Sequence, residues 1–259
     1  MIMEALQKMK IELVTALCFI LPCLMTTLGA TLIYFFKKTS KMVNIITLGL
    51  ASGIMFSASI FSLILPALEQ SELSWKNLKA VPISVGLLIG ALFMIVLDRI
   101  TAKIFKSNEN NAKTFRFFTA ITIHNIPEGM SVGFALGTVV ATNSSPMLAL
   151  TFALGIAIQN FPEGLATALP IYSTTKKRTK SCILAILSGI VEPIFAIAGY
   201  YLATSLTSAL PWLLSFSAGS MIYVIIEEMT PEIHCETRPY GTWAFVFGFI
   251  LMMVLDLMF

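Results

Sequence analysis

The sequence predicts an all-α integral membrane protein with eight transmembrane helices, and three observations carry that expectation. Hydrophobic residues make up 57% of the 259 and charged residues only 12%, where a soluble domain has about a quarter of its residues charged. Apolar runs of about 20 residues, the length a bilayer core asks of a helix, recur along the chain. Short polar or basic breaks separate them, so 1–259 reads as a single transmembrane domain.

The runs are taken in order. The first, 11–36, follows Lys8 and Lys10 and stops at Lys37, Lys38 and Lys41; the second, 43–68, stops before Glu69 and Glu72. The third, 81–100, begins after Lys76 and Lys79 and closes on Asp98 and Arg99, which read as an interfacial ion pair. The fourth and fifth, 116–141 and 147–172, are joined by the short link Asn143 to Pro146, which makes them antiparallel neighbours. Lys176, Lys177, Arg178 and Lys180 precede the sixth, 182–206. The seventh, 211–231, ends in Glu227 and Glu228, and the eighth is 241–259. Trp75, Trp212 and Trp243 fall near span ends, where indole rings anchor at the lipid interface.

Basic residues set the orientation, because cytoplasmic loops hold the excess of Lys and Arg. Thirteen of the 17 follow the first, third, fifth and seventh spans. Both termini are therefore expected on the non-cytoplasmic side of a cell membrane. A net charge of +3, gathered in short clusters rather than on one broad face, speaks against nucleic-acid binding. Cys18, Cys23, Cys182 and Cys235 lie far apart with no CxxC pair and read as ordinary small apolar residues.

Polar groups at mid-membrane depth are costly, roughly 2.5–3.5 kcal/mol for an Asp, Lys or Arg at a helix centre on insertion scales, so they persist with a partner or a role. This chain concentrates them. The fourth span reads His124-Asn125-Ile126-Pro127-Glu128-Gly129 and the fifth Gln159-Asn160-Phe161-Pro162-Glu163-Gly164, one pattern repeated 35 residues on. A spacing of four places His124 with Glu128, and Gln159 with Glu163, on one helical face. Asn125 and Asn160 are turned by about 100° and reach a neighbouring position, which allows two adjacent ion positions. Pro127 and Pro162 should each kink a span and release a carbonyl beside these groups, while Gly129 and Gly164 permit close helix approach.

Glu192, before Pro193 in the sixth span, is a third carboxylate at that depth. Lys and Arg are absent from the span interiors, so the counter-charge should be a cation from outside. One imidazole, three carboxylates and amide oxygens suit a borderline divalent ion such as Zn²⁺, Fe²⁺ or Mn²⁺. Neither Na⁺ nor K⁺ would require the histidine.

On these motifs, and on Val191-Glu192-Pro193, the chain resembles the ZIP family of metal transporters over nearly its whole length, particularly the prokaryotic ZupT and GufA-like branches. The resemblance implies eight spans with both termini outside and a binuclear site between the fourth, fifth and sixth. It implies import of zinc, iron, manganese, cobalt or cadmium toward the cytoplasm, the ion being substrate and not a prosthetic group. His124, Glu128, Gln159 and Glu163 match one metal position, and Asn125, Asn160 and Glu192 the other, with Glu128 and Glu163 able to bridge. Two inverted three-span repeats would flank the fourth and fifth spans and rock against each other. Some relatives have Asp or His where this chain has Asn160 or Gln159, so the site here is less anionic. The resemblance also allows a homodimer, which no residue decides.

Glu227, Glu228 and His234 are candidate contacts for a departing ion, while Glu69 and Glu72 read as solvated loop charges. Two other functions compete. An intramembrane zinc hydrolase generally needs three protein ligands and an activated water, yet His124 and His234 are the only histidines. A non-transporting metal sensor or scaffold would bind through the same spans, but no loop is long enough for an evident signalling domain. The expectation is a transporter and not an enzyme.

Overall fold

The computed structural model describes residues 11–35, 41–104, 110–233 and 239–258, and every regular element among them is helical. The elements are α1 (Ile11–Thr31), α2 (Lys41–Ala58), α3 (Leu65–Trp75), α4 (Ala80–Ile104), α5 (Asn110–Thr142) and α6 (Pro146–Thr175). They continue as α7 (Arg178–Gly189), α8 (Val191–Ser205), α9 (Leu210–Val224), α10 (Thr230–Ile233) and α11 (Tyr240–Met258). Single π-helical stretches, Ser59–Ile64 and Ile225–Met229, join α2 to α3 and α9 to α10.

Among the described residues, seven helical stretches are long and apolar enough to cross a membrane: Ile11–Tyr34, Ile45–Leu78, Ala80–Thr101, Pro146–Tyr172, Arg178–Ser205, Thr207–Glu227 and Tyr240–Met258. The expected fourth span, α5, is a 33-residue helix but is not among the seven. Its run holds His124, Asn125 and Glu128, and these dilute its apolar character. The second stretch runs beyond the expected 68 because α3 carries the helix on through Glu69 and Glu72 to Trp75.

Proline shapes the interior spans differently. Pro127 and Pro162 lie within continuous helices. The expected sixth span is instead two helices, α7 and α8, meeting at Ile190, so that Glu192 and Pro193 fall in the first turn of α8. Proline is tolerated there because a first-turn N–H has no intrahelical acceptor. The α5–α6 link is closed by Ser144 N–H donating to Val139 O at 3.0 Å, and by Asn143 at φ 52°, a left-handed conformation that asparagine tolerates.

Helices approach through glycine, as packing in lipid favours. A methyl on Gly29 would fall on the Phe161 carbonyl and one on Gly164 on that of Thr26, which locks α1 to α6. Gly129 and Gly133 meet Glu192 and Ala196, and Gly199 meets Met130, so α5 lies against α8. In the same way Gly53 and Gly248 join α2 to α11, and Gly90 and Gly219 join α4 to α9.

This pairing is unchanged when α1, α2 and α4 are exchanged with α8, α9 and α11, and α5 with α6. The exchange is also written in the residues: Gly90-x-x-x-Met94-x-Val96-Leu97-Asp98 in α4 is repeated as Gly248-x-x-x-Met252-x-Val254-Leu255-Asp256 in α11. Both methionines are fully buried. The core between the helices is apolar, with Phe134, Phe152, Leu136 and Ile156 fully enclosed. Set within it is one polar island.

Candidate functional site

The island is built by α5, α6 and the α7–α8 junction. His124, Asn125, Glu128, Gln159, Asn160 and Glu192 are all buried, Glu128 to 1% and Glu192 to 2% exposure. Glu163 is only partly buried. It stands close enough to both Glu128 and Glu192 to repel their charge, so three carboxylates share one region.

Hydrogen bonds fix most of the members. Gln159 Nε2 donates to Glu128 Oε1 at 2.8 Å, tying α6 to α5. Asn160 Nδ2 donates to Glu192 Oε2 at 2.7 Å. Asn125 Nδ2 donates to the Ser188 carbonyl at 2.8 Å, just before the helix break. The Ser217 hydroxyl of α9 reaches the Pro127 carbonyl at 3.2 Å. Four buried oxygens receive no hydrogen bond from the described residues: Asn125 Oδ1, Glu128 Oε2, Gln159 Oε1 and Asn160 Oδ1.

Buried acceptors without donors are uncommon, because such a group loses its water and gains nothing in return. Glu128 Oε2 and three amide oxygens without a donor, beside two further carboxylates, form an environment suited to a cation. Among the described residues no three His, Cys, Asp or Glu side chains are grouped to hold a metal ion, so any ion here depends on amide oxygens as well as carboxylates.

His124, expected with Glu128 on one helical face, also reaches toward α4. Its Nε2 lies 3.8 Å from Asp98 Oδ1, and the other oxygen of Asp98 accepts the Tyr223 hydroxyl at 2.8 Å. Asp98, expected beside Arg99 at the interface, thus links α4, α9 and α5. Helical spacing put His124 and Glu128 on one face, but the side chain selects its partner by tertiary packing.

Two more groups escaped the sequence reading. Thr26 of α1 donates to Glu192 Oε1 at 3.0 Å, which brings a fourth span into the island. Asp256 of α11 accepts the Ser62 hydroxyl at 2.7 Å and faces a cavity of roughly 130 Å³ that Glu69, Gln70, Thr138 and Thr142 also line. Nothing local marks Thr26, a threonine in an apolar helix. Asp256 could have been found from the repeat it shares with Asp98.

Glu227 is exposed beside a groove lined by Leu87, Ala91, Ile222 and Tyr223. The Glu228 side chain and His234 lie outside the described residues. Glu72 is ion-paired with Lys79.

A family model described as "ZIP Zinc transporter" matches residues 109–256. The zinc transporter GufA of Myxococcus xanthus is 35% identical over 243 residues, covering 90% of this chain and 93% of that protein. The zinc transporter ZIP11 of Xenopus tropicalis is 29% identical, with the same coverage of each chain, and the zinc transporter ZupT of Chlorobaculum parvum is 32% identical over 80% of this chain and 83% of its own. The family model spans more than half of the chain and the first of these relatives nearly all of it, so the chain belongs to the ZIP family of zinc transporters.

Proposed function

We infer that this protein moves divalent metal cations, zinc first among them, across a cell membrane toward the cytoplasm. The observation that carries the reading is the island: three carboxylates and the donor-free amide oxygens of Asn125, Gln159 and Asn160, with His124 at its edge. A divalent cation is the counter-charge such a cluster lacks. The names of the relatives, zinc transporters all, support zinc as the cargo, and the same donors accommodate iron, manganese, cobalt or cadmium.

The chain acts as one transmembrane unit of eight spans. In it, α5 is the span whose polar residues lower its hydropathy because they face protein and cargo rather than lipid, as buried polar groups in membranes do. Both termini lie outside. The ion is held between Glu128, Gln159 and Glu163, with Asn125, Asn160 and Glu192 in the adjoining position. It approaches through the cavity at Asp256 and leaves past His124 and Asp98, with Glu227, Glu228 and His234 beyond. Since α1 packs on α6, α5 on α8, α2 on α11 and α4 on α9, movement of the first two pairs against the other two would expose the island alternately to each side.

Zinc flux into sealed proteoliposomes tests this reading. Wild-type protein should load vesicles with zinc down an imposed gradient, and folded Glu163→Ala protein should lose most of that flux. Binding without flux under any gradient would favour a sensor instead, and wild-type flux in the variant would remove the island from the path.

A further inference from the structure

The glycine contacts sort the helices into rigid pairs. Gly29, Gly53, Gly90 and Gly133 each face the backbone of the helix paired with their own, at Phe161, Phe245, Phe216 and Ala196. Packed backbone has little room to give, so each pair holds together as a body. Gly155 of α6 is different. A methyl there would overlap Met252 Sδ and stand 2.5 Å from its Cε, with Cγ at 3.8 Å. The neighbour is a flexible side chain, and it belongs to α11, which pairs with α2. This contact therefore crosses the boundary between the two groups of helix pairs.

Met252 is fully buried, and Gly155 is buried with it. An unbranched thioether with three rotatable bonds fills an irregular gap and leaves it again at low cost. The hydrogen bond from Ser217 to Pro127, which crosses the same boundary, is long at 3.2 Å. Position matters as well. Gly155 stands one turn before Gln159 of the island, and Met252 one turn before Asp256 of the cavity. That cavity lies between the two groups, with Thr138, Thr142 and Phe152 on one side and Ser62 and Asp256 on the other. The exchange that carries α11 onto α4 and α6 onto α5 takes Met252 to Met94 and Gly155 to Ala120. The methionine recurs in the repeat; the glycine does not.

We propose that Met252 seated on Gly155 is a positioning contact, which holds the helix pairs in the arrangement with the cavity formed and is left when they move. The proposal rests on the transport reading above and adds to it two residues that touch no ion. A seat written into one half of the repeat makes the two end positions unequal in energy, and the seated one is favoured.

A methyl exchanged across the contact tests this. Gly155→Ala fills the notch and Met252→Val shortens the knob, and the two together keep the number of side-chain heavy atoms, the kind of swap that packing tolerates best. The reporter is Thr142→Cys in a background without native cysteines, at a half-buried position lining the cavity. Its rate of reaction with a water-soluble thiol reagent is measured in detergent without zinc. Each single substitution should slow labelling about fivefold, the low end of what a misfitted methyl imposes. The double variant should return to within about twofold of the wild-type rate. Zinc uptake into proteoliposomes should fall and recover in parallel.

Lowered melting temperatures with labelling at the wild-type rate in both single variants would mark a packing contact only and overturn the proposal. A double variant as slow as the singles would overturn it equally. Wild-type protein that moves no zinc, with the labelling pattern intact, is a different result, which refutes the transport reading itself.

Discussion

Replacing Gly129 by alanine should separate the island without removing any of its polar groups. A methyl at that position would stand 2.9 Å from Glu192 Cα and 3.0 Å from its carbonyl carbon. Non-bonded carbons settle at about 3.5–4.0 Å, so α5 and α8 must part there by roughly 0.5–1 Å. Asn160 and Thr26 hold α8 to α6 and α1, and the shift therefore falls on α5, carrying Glu128 away from Gln159. Metal–ligand distances tolerate about ±0.2 Å, less than the displacement. Overpacking strain of about 1–3 kcal/mol, borne by the ion-bound state, weakens zinc binding by about 5- to 150-fold. Titration calorimetry on purified protein reads this directly. Gly137→Ala is the control, since its methyl would stand 2.5 Å from Ala203 Cβ in the same helix pair but about 12 Å along α5 from Gly129. It should cost similar stability and leave affinity within about twofold. Equal loss of affinity in both variants, or wild-type affinity in Gly129→Ala, would refute the reasoning.

Three further outcomes are expected. Asp256→Asn removes a half-buried charge lining the cavity and should raise the KM for zinc uptake about three- to tenfold, leaving the maximal rate unchanged, because charge lining a cleft concentrates its counter-ion; an unchanged KM would clear Asp256 of any part in approach. Tyr223→Phe loses the 2.8 Å hydrogen bond to Asp98 and should lower stability by about 1 kcal/mol, seen as a reduced melting temperature in detergent. A cysteine at exposed Thr179, in a background without native cysteines, should react with an impermeant thiol reagent only from the cytoplasmic side, and labelling from outside would reverse the orientation.

The helices were legible because lipid imposes a simple rule. Runs of apolar residues bounded by lysine clusters pointed to membrane helices, and among the described residues seven helical stretches are long and apolar enough to be such; the extension through α3 and the break at Ile190 were not foreseen. The extension was hidden because Glu69 to Trp75 is polar enough to read as loop. The break arises where Pro193 follows Glu192, and the residues alone gave no reason to separate a kink from a new helix.

Within the island the repeated Asn-x-Pro-Glu-Gly pattern identified residues that fold into one region, since cost at mid-depth makes such groups conspicuous. Their partners were less visible. Helical spacing brought His124 toward Glu128, whereas Asp98 and Tyr223, 26 residues before and 99 after it, set where its ring points. Thr26 became recognisable only when α1 was seen locked to α6 through Gly29 and Gly164. Contacts between distant spans depend on pairings that no local pattern encodes.

Anomalous diffraction at the zinc absorption edge, from crystals grown with the metal, addresses the central claim without any substitution. A zinc peak at about 2.0–2.2 Å from carboxylate oxygens of Glu128 and Glu163 is the predicted result. Zinc found only on surface groups such as Glu72, with the island closed on its own hydrogen bonds, would contradict it.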